Sequence, residues 1–173
     1  MDKGYIHLYT GDGKGKTTAA LGLALRAAGH DRKVFIGQFM KGQYYGELTA
    51  LQSIAGIDIE QFGDEGCLHK NQITEVHRNH ARQGIDRILE VMAMDYYDMV
   101  IMDEICVTVW FDLLSPGDVL NVIEKKPVSL ELVLTGRRAP KEFIEAADLV
   151  TEMKEVKHYY TTFGILARDG IER

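Results

Sequence analysis

Short apolar runs alternate with longer segments of helical period along the chain. Tyr5 to Tyr9 (YIHLY) predicts a first strand, and Thr17 to Ala28 repeats apolar positions at helical spacing until Gly29 closes it. Val34 to Phe39 predicts a second strand, Glu47 to Ala55 a helix, and Ile57 to Phe62 a third strand with a weaker pattern. Gln72 to Met94 has the mixed pattern of a long amphipathic helix, in which Gly84 reads as a tolerated interruption. Met99 to Met102 is apolar without alternation, as in a parallel strand buried on both faces, and it stops abruptly at Asp103-Glu104. Ser115-Pro116-Gly117-Asp118 opens the next helix with a capping serine, a proline in the first turn and an acid near the positive dipole end. Leu130 to Leu134 follows as a strand, then Gly136, a short helix from Pro140 to Ala147, and a last strand from Leu149 to Met153. This alternation predicts an α/β fold of three layers, a mainly parallel sheet covered by helices on both faces. No repeat, low-complexity tract or linker interrupts it, so residues 1–173 are expected to form a single nucleotide-binding domain.

Composition narrows the function classes. A net charge of −6 argues against a general nucleic-acid binder, yet a local backbone cradle can still hold phosphate on an acidic protein. Cys67 and Cys106 stand far apart, which suits a reducing compartment and offers neither a zinc site nor a disulfide framework. Met1-Asp2-Lys3-Gly4 runs straight into the first strand and no apolar run reaches the length of a membrane span. The expectation is a cytoplasmic protein without a signal peptide.

The chemistry concentrates in Thr10-Gly11-Asp12-Gly13-Lys14-Gly15-Lys16-Thr17-Thr18, between a predicted strand and a predicted helix. That is the context of a phosphate-binding P-loop, in which glycines let successive N–H groups turn toward one anion and the helix adds its positive end. Lys16 can reach the terminal phosphates of ATP and the Thr17 hydroxyl can ligate Mg²⁺. One departure stands out: the position five residues before Gly15-Lys16, usually glycine, is Thr10. Asp103, at the carboxyl end of a buried strand, falls on the sheet edge where ligands bind in open α/β folds, and it can hold Mg²⁺ directly or through water. Glu104 is a second acid for the metal, or a cap for the segment after it, or the partner of an arginine.

The ordered series of motifs resembles the P-loop type of ATP:corrinoid adenosyltransferases, which act on cob(I)alamin or cob(I)yrinic acid a,c-diamide. The resemblance runs from the P-loop through Gln38-Phe39-Met40-Lys41-Gly42, Gly46-Glu47, Met102-Asp103-Glu104 and Leu134-Thr135-Gly136-Arg137. It continues with Ala147 to Met153, Val156-Lys157-His158 and Ala167 to Glu172. It implies transfer of the 5′-deoxyadenosyl group of ATP to the cobalt of a reduced corrinoid, with release of triphosphate, in adenosylcobalamin biosynthesis or salvage. It also implies Mg²⁺ at the nucleotide, a homodimer, and a reductant such as a flavoprotein. By resemblance Gly11, Asp12, Gly13, Lys14, Gly15, Lys16, Thr17, Thr18 and Arg137 bind the nucleotide. Thr17, Asp103 and Glu104 lie at the metal, and Lys16, Glu104 and Arg137 serve catalysis. Two features depart from relatives: the sequence begins almost at the first strand, where some carry a longer basic, helical N-terminal extension, and Gly63 to His69 lacks their Phe-x-Trp pair.

Co(I) is itself a strong nucleophile, so the absence of any convincing Ser/His/Asp or Cys/His constellation fits this chemistry. Phe62, Leu68, Trp110 and Phe111 are candidates for an apolar wall against the corrinoid, or simply core residues. His69, His77 and His80 read as a solvated face rather than a metal site, His158 as a structural or ligand-polar residue, and both cysteines as inert thiols. Two rival readings are a P-loop nucleoside kinase or ATPase, which would need a base and an acceptor pocket, and a non-catalytic paralogue that binds nucleotide or corrinoid.

Overall fold

A computed structural model describes residues 2–172 apart from 65, 67 and 68. The six strands are β1 (Ile6–Thr10), β2 (Val34–Phe39), β3 (Ile57–Phe62), β4 (Met99–Asp103), β5 (Glu131–Thr135) and β6 (Leu149–Glu152). They form one all-parallel sheet in the order β3-β2-β4-β5-β1-β6. The helices are α1 (Lys16–Ala28), α2 (Gly46–Gln52), α3 (Glu75–Ala93), α4 (Ile105–Trp110), α5 (Pro116–Glu124), α6 (Lys141–Ala146) and α7 (Tyr159–Phe163).

Strand alternation divides the core into two layers. Val34, Ile36, Met99, Ile101 and Val133 pack against Ala20 and Ala24 of α1 and Leu51 of α2. Leu8, Phe35, Phe39, Val100, Met102, Leu132 and Leu134 point the other way, toward α3, α4, α5 and Phe143 of α6. Each fully buried Ile, Leu or Phe contributes about 1.5–3 kcal/mol relative to exposure, so both faces of the central strands must be apolar. That requirement is why Met99–Met102 carries no polar alternation.

The expected elements appear with shifted ends. The long helix starts at Glu75 rather than Gln72, because Lys70–Gln72 forms a separate 3₁₀ turn and Thr74 exchanges a reciprocal capping pair with His77. Ser115 caps α5 as its sequence predicts, accepting a hydrogen bond from the Asp118 N–H at 3.2 Å. Helices α4 and α7 were not expected. Gly84 is a correction: it is buried, and a Cβ there would lie 2.6 Å from Phe39 Cε1 and 2.9 Å from Phe62 Cγ. It is a packing requirement of the contact between α3 and the sheet.

Candidate functional site

The carboxyl ends of β1, β2, β4 and β5 meet at one edge of the sheet, and the candidate residues gather there. Chain pairing explains Thr10. Its carbonyl accepts the Met153 N–H at 2.8 Å, so the residue remains in the sheet as the last position of β1. The turn begins only at Gly11, where φ is 96° and a Cβ would lie 2.5 Å from the Met153 carbonyl oxygen. The glycine requirement therefore falls one residue later than usual.

Beyond Gly11 the loop curls around the side chain of Lys16. The Lys16 ammonium donates to the carbonyls of Gly11 at 2.7 Å and Gly13 at 2.5 Å, and the residue is only 6% exposed. Burial, and next the nearby Arg137 charge, hold its pKa below the ordinary lysine value. Gly15 precedes α1 in the left-handed region and no side chain caps the helix, so its N-terminus is left to an anion.

Asp103 is wholly buried and its carboxylate is surrounded by donors. Oδ1 accepts from the Thr17 hydroxyl at 2.8 Å and the Thr135 hydroxyl at 2.7 Å. Oδ2 accepts from Lys41 Nζ at 3.0 Å and Gln38 Nε2 at 3.4 Å. The strand order makes this possible: β5 lies between β1 and β4, which sets Thr135 between the P-loop and Asp103, while Gln38 is the direct β2 partner of Asp103. Lys41 also pairs with Glu47 at 3.6 Å and lies over the Tyr45 ring. Burial alone would lower the Lys41 pKa; the charge and hydrogen bond of Asp103, with Glu47, outweigh it and hold the ammonium above its ordinary value.

Glu104 takes a left-handed conformation at φ 59° and ψ 20°, uncommon for a residue with a Cβ. Its N–H donates to Thr135 Oγ1 at 2.9 Å, which anchors the turn. The bend ends β4, starts α4 and turns the Glu104 side chain into a cavity of about 680 Å³ that it shares with Thr17, Thr18, Lys41, Tyr45 and Ile171. The carboxylate has no hydrogen bond or ion pair among the described residues; burial, then the Asp103 charge, raises its pKa. An unpartnered carboxylate beside a threonine hydroxyl whose proton is already committed to Asp103 is a donor set suited to a hard divalent cation.

Gly136 brings the β5 loop close, since a Cβ there would sit 2.8 Å from Cys106 Cβ. Arg137 follows, exposed and without a hydrogen bond or ion pair among the described residues. It borders a second cavity of about 580 Å³ with Lys14, His158, Tyr159 and Glu172. Lys14 faces the C-terminal segment, pairing with Glu172 at 2.9 Å and donating to the Tyr159 hydroxyl at 3.0 Å. Tyr159 in turn bonds Glu172, and Asp12 on the loop and Thr18 in the first turn of α1 are exposed.

The candidate corrinoid wall divides. Phe62 packs against Phe39 with ring centroids 5.5 Å apart and borders the core, and Phe111 joins the same cluster. Trp110 is 38% exposed, with the Lys70 ammonium and the Arg138 guanidinium each over its ring. Leu68 and Cys67 lie outside the described residues. Cys106 is buried, and burial pushes its thiol up to about 12. His77 and His80 both approach Asp64, at 3.5 Å and 3.2 Å, a pairing that their spacing did not reveal. His158 caps α7 by accepting from the Tyr160 N–H. The sequence pattern assigns no role to Gln38 or Lys41; the available signal is a glutamine within an otherwise apolar strand and a lysine just beyond its end.

Comparison with known proteins sets this geometry in a family. The family model described as ATP:corrinoid adenosyltransferase BtuR/CobO/CobP matches residues 2–173. The corrinoid adenosyltransferase of Escherichia coli (strain K12) is 33% identical over 171 residues, covering 99% of this chain and 86% of that protein. A corrinoid adenosyltransferase of Sinorhizobium sp is 35% identical over 175 residues, covering 99% and 81%. The corrinoid adenosyltransferase CobA of Salmonella typhimurium is 31% identical over 171 residues, covering 99% and 86%.

Proposed function

The chain belongs to the BtuR/CobO/CobP family of ATP:corrinoid adenosyltransferases, and from that premise we propose how its residues divide the work of adenosylating a corrinoid with ATP. The cobalt of a reduced corrinoid attacks C5′ of ATP. Its electron pair forms the Co–C bond, the C5′–O bond breaks, and that pair departs with triphosphate. No protein nucleophile is required, so the protein's task is to hold C5′ in line with cobalt and to stabilise the departing charge.

The observation that carries this reading is the buried Lys16 ammonium at the centre of the loop, with the unpaired Arg137 close enough to depress its pKa. The loop from Gly11 to Thr18 wraps the triphosphate, Lys16 exchanges its carbonyl partners for phosphate oxygens, and Arg137 closes from the β5 side. Thr17 and Glu104 would hold Mg²⁺, while Asp103 fixes the Thr17 hydroxyl from behind. When bound, the ion adds positive charge at the oxygens that become more negative as C5′–O breaks.

A homodimer, a separate reductant that generates Co(I), and a cytoplasmic setting complete the reading. Exposed Phe163, Leu166 and Ile171 support a partner surface on the C-terminal segment. No helix among the described residues is long and apolar enough to cross a membrane. The test is to incubate the protein with ATP, Mg²⁺ and chemically reduced corrinoid and to identify both products. Triphosphate and a light-sensitive alkylcorrinoid should appear in equal amounts; ADP as the main product, without a Co–C bond, would overturn the assignment.

A further inference from the structure

Asp103 occupies a position from which a carboxylate could bind a metal directly, yet its lone pairs are spoken for. A carboxylate offers about four acceptor sites, and Asp103 receives four donors: Thr17 and Thr135 on one oxygen, Lys41 and Gln38 on the other. One of these four is a full positive charge. The Lys41 side chain is 13% exposed and reaches Asp103 Oδ2 from the loop after β2, while Glu47 and the Tyr45 ring steady it from α2 and its approach. Glu104, the next residue, differs on every count. Its carboxylate opens on the 680 Å³ cavity and has no hydrogen-bond partner among the described residues. The two adjacent acids thus differ: Asp103 is bonded directly to an ammonium of the protein, whereas Glu104 feels Lys41, Lys16 and Arg137 without a hydrogen bond or ion pair to any of them among the described residues.

We propose that Lys41 is a built-in cation that keeps Asp103 from taking a metal ion, so that the site accepts one divalent cation, at Thr17 and Glu104, rather than two. The inference rests on the nucleotide site described above and adds its metal stoichiometry and the residue that sets it. The ammonium has a second consequence. Asp103 Oδ1 accepts the Thr17 hydroxyl, which leaves the lone pairs of that oxygen to the cavity Thr17 lines. Lys41 is in this sense a positioning residue, acting on the metal through Asp103 and Thr17. A second divalent ion on Asp103 would have to displace an ammonium already desolvated and hydrogen-bonded, whereas an ion at Glu104 displaces only water.

The experiment counts protein-bound Mn²⁺ by electron paramagnetic resonance with saturating ATP and no corrinoid, in wild type, Lys41→Met and Lys41→Arg. Wild type and Lys41→Arg should each hold one Mn²⁺ per chain, and Lys41→Met two. A parallel measurement covers poor folding of Lys41→Met: without ATP, its thermal midpoint should be lowered and then raised by millimolar Mn²⁺, because the ion replaces the lost charge on Asp103. The wild-type midpoint should move little. A single Mn²⁺ in Lys41→Met, or a midpoint that Mn²⁺ does not raise, overturns the proposal. Neither readout depends on adenosyl transfer, so a wild type that binds MnATP but makes no alkylcorrinoid defeats the functional reading and leaves this one standing.

Discussion

Alanine in place of glycine should have opposite effects at Gly84 and Gly22, two helix-interior positions. Both substitutions remove backbone freedom from the unfolded chain and raise helix propensity, worth about 1 kcal/mol in favour of the fold. At Gly22, exposed on α1, a Cβ meets nothing within 4 Å, so that gain stands alone. At Gly84 the new methyl would lie 2.6 Å from Phe39 Cε1 and 2.9 Å from Phe62 Cδ2 and Cγ. Carbon contacts are optimal near about 3.5–4.0 Å, so two rings must each retreat by close to an ångström. Phe39 is fully buried and Phe62 also packs on the would-be Cβ of Gly37, which leaves little room to retreat. Overpacking of this kind costs about 1–3 kcal/mol, and with two rings involved the upper value applies. The net expectation is a loss of about 2 kcal/mol for Gly84→Ala against a gain of about 0.5–1 kcal/mol for Gly22→Ala. Urea denaturation with unchanged slope measures both. In thermal melts the loss corresponds to about 4–8 °C for a domain of this size. A Gly84→Ala midpoint equal to or above wild type would refute the packing argument and return Gly84 to a mere interruption of the helix.

Other expectations concern single groups. Lys16→Ala should weaken MgATP binding by about tenfold or more while leaving the urea midpoint near wild type, since the lost contacts are to phosphate and two loop carbonyls; unchanged affinity in calorimetry would remove Lys16 from the site. Tyr97 should ionise late, because burial and its hydrogen bond to Asp58 push it up to about 12. Its folded pKa exceeds the unfolded value near 10, so its stabilising contribution is full below pH 10 and is lost as pH rises toward 12. Tyr97→Phe should delete the last phenolate step in an ultraviolet titration and flatten that loss; an early-ionising Tyr97 would contradict the burial. In a Cys67→Ser variant the remaining thiol, Cys106, should ignore a disulfide reagent at pH 8 until the chain is unfolded, and rapid native labelling would show that the pocket behind Glu104 opens.

What the sequence made legible follows from which signals are local. β2, β4 and β5 are built on short apolar runs, and the phosphate loop is a contiguous glycine-rich segment before a helix, so composition and order alone place them. Helix α4 escaped because Ile105-Cys106-Val107-Thr108-Val109-Trp110 is apolar and rich in β-branched residues, the composition of a strand rather than a helix. Only the left-handed turn at Glu104, held by Thr135 from another strand, converts it. Helix α7 has five residues, too few to show a period. The Asp64 partners of His77 and His80 come from a loop that no spacing rule could attach to α3.

The same distinction explains why the acid pair read from the sequence as one metal site and reads from the structure as two different chemistries. Adjacent residues in a strand normally face opposite sides, which would have put Asp103 and Glu104 in different layers. The positive φ at Glu104 breaks that alternation and keeps both acids at the sheet edge. Their environments then diverge by topology. Asp103 remains in register with Gln38 and within reach of Thr135, so neighbouring strands supply its donors, whereas Glu104 has left the sheet and meets none. A sheet edge built this way needs its buried acid saturated before any ligand binds, because an unpaired buried carboxylate costs several kcal/mol. Saturation by hydroxyls and an amide would leave the charge uncompensated, and the loop after β2 supplies the missing cation in Lys41. On the proposal that Lys41 keeps Asp103 from a metal, metal stoichiometry and fold stability share one cause, and one substitution at Lys41 should be visible in both.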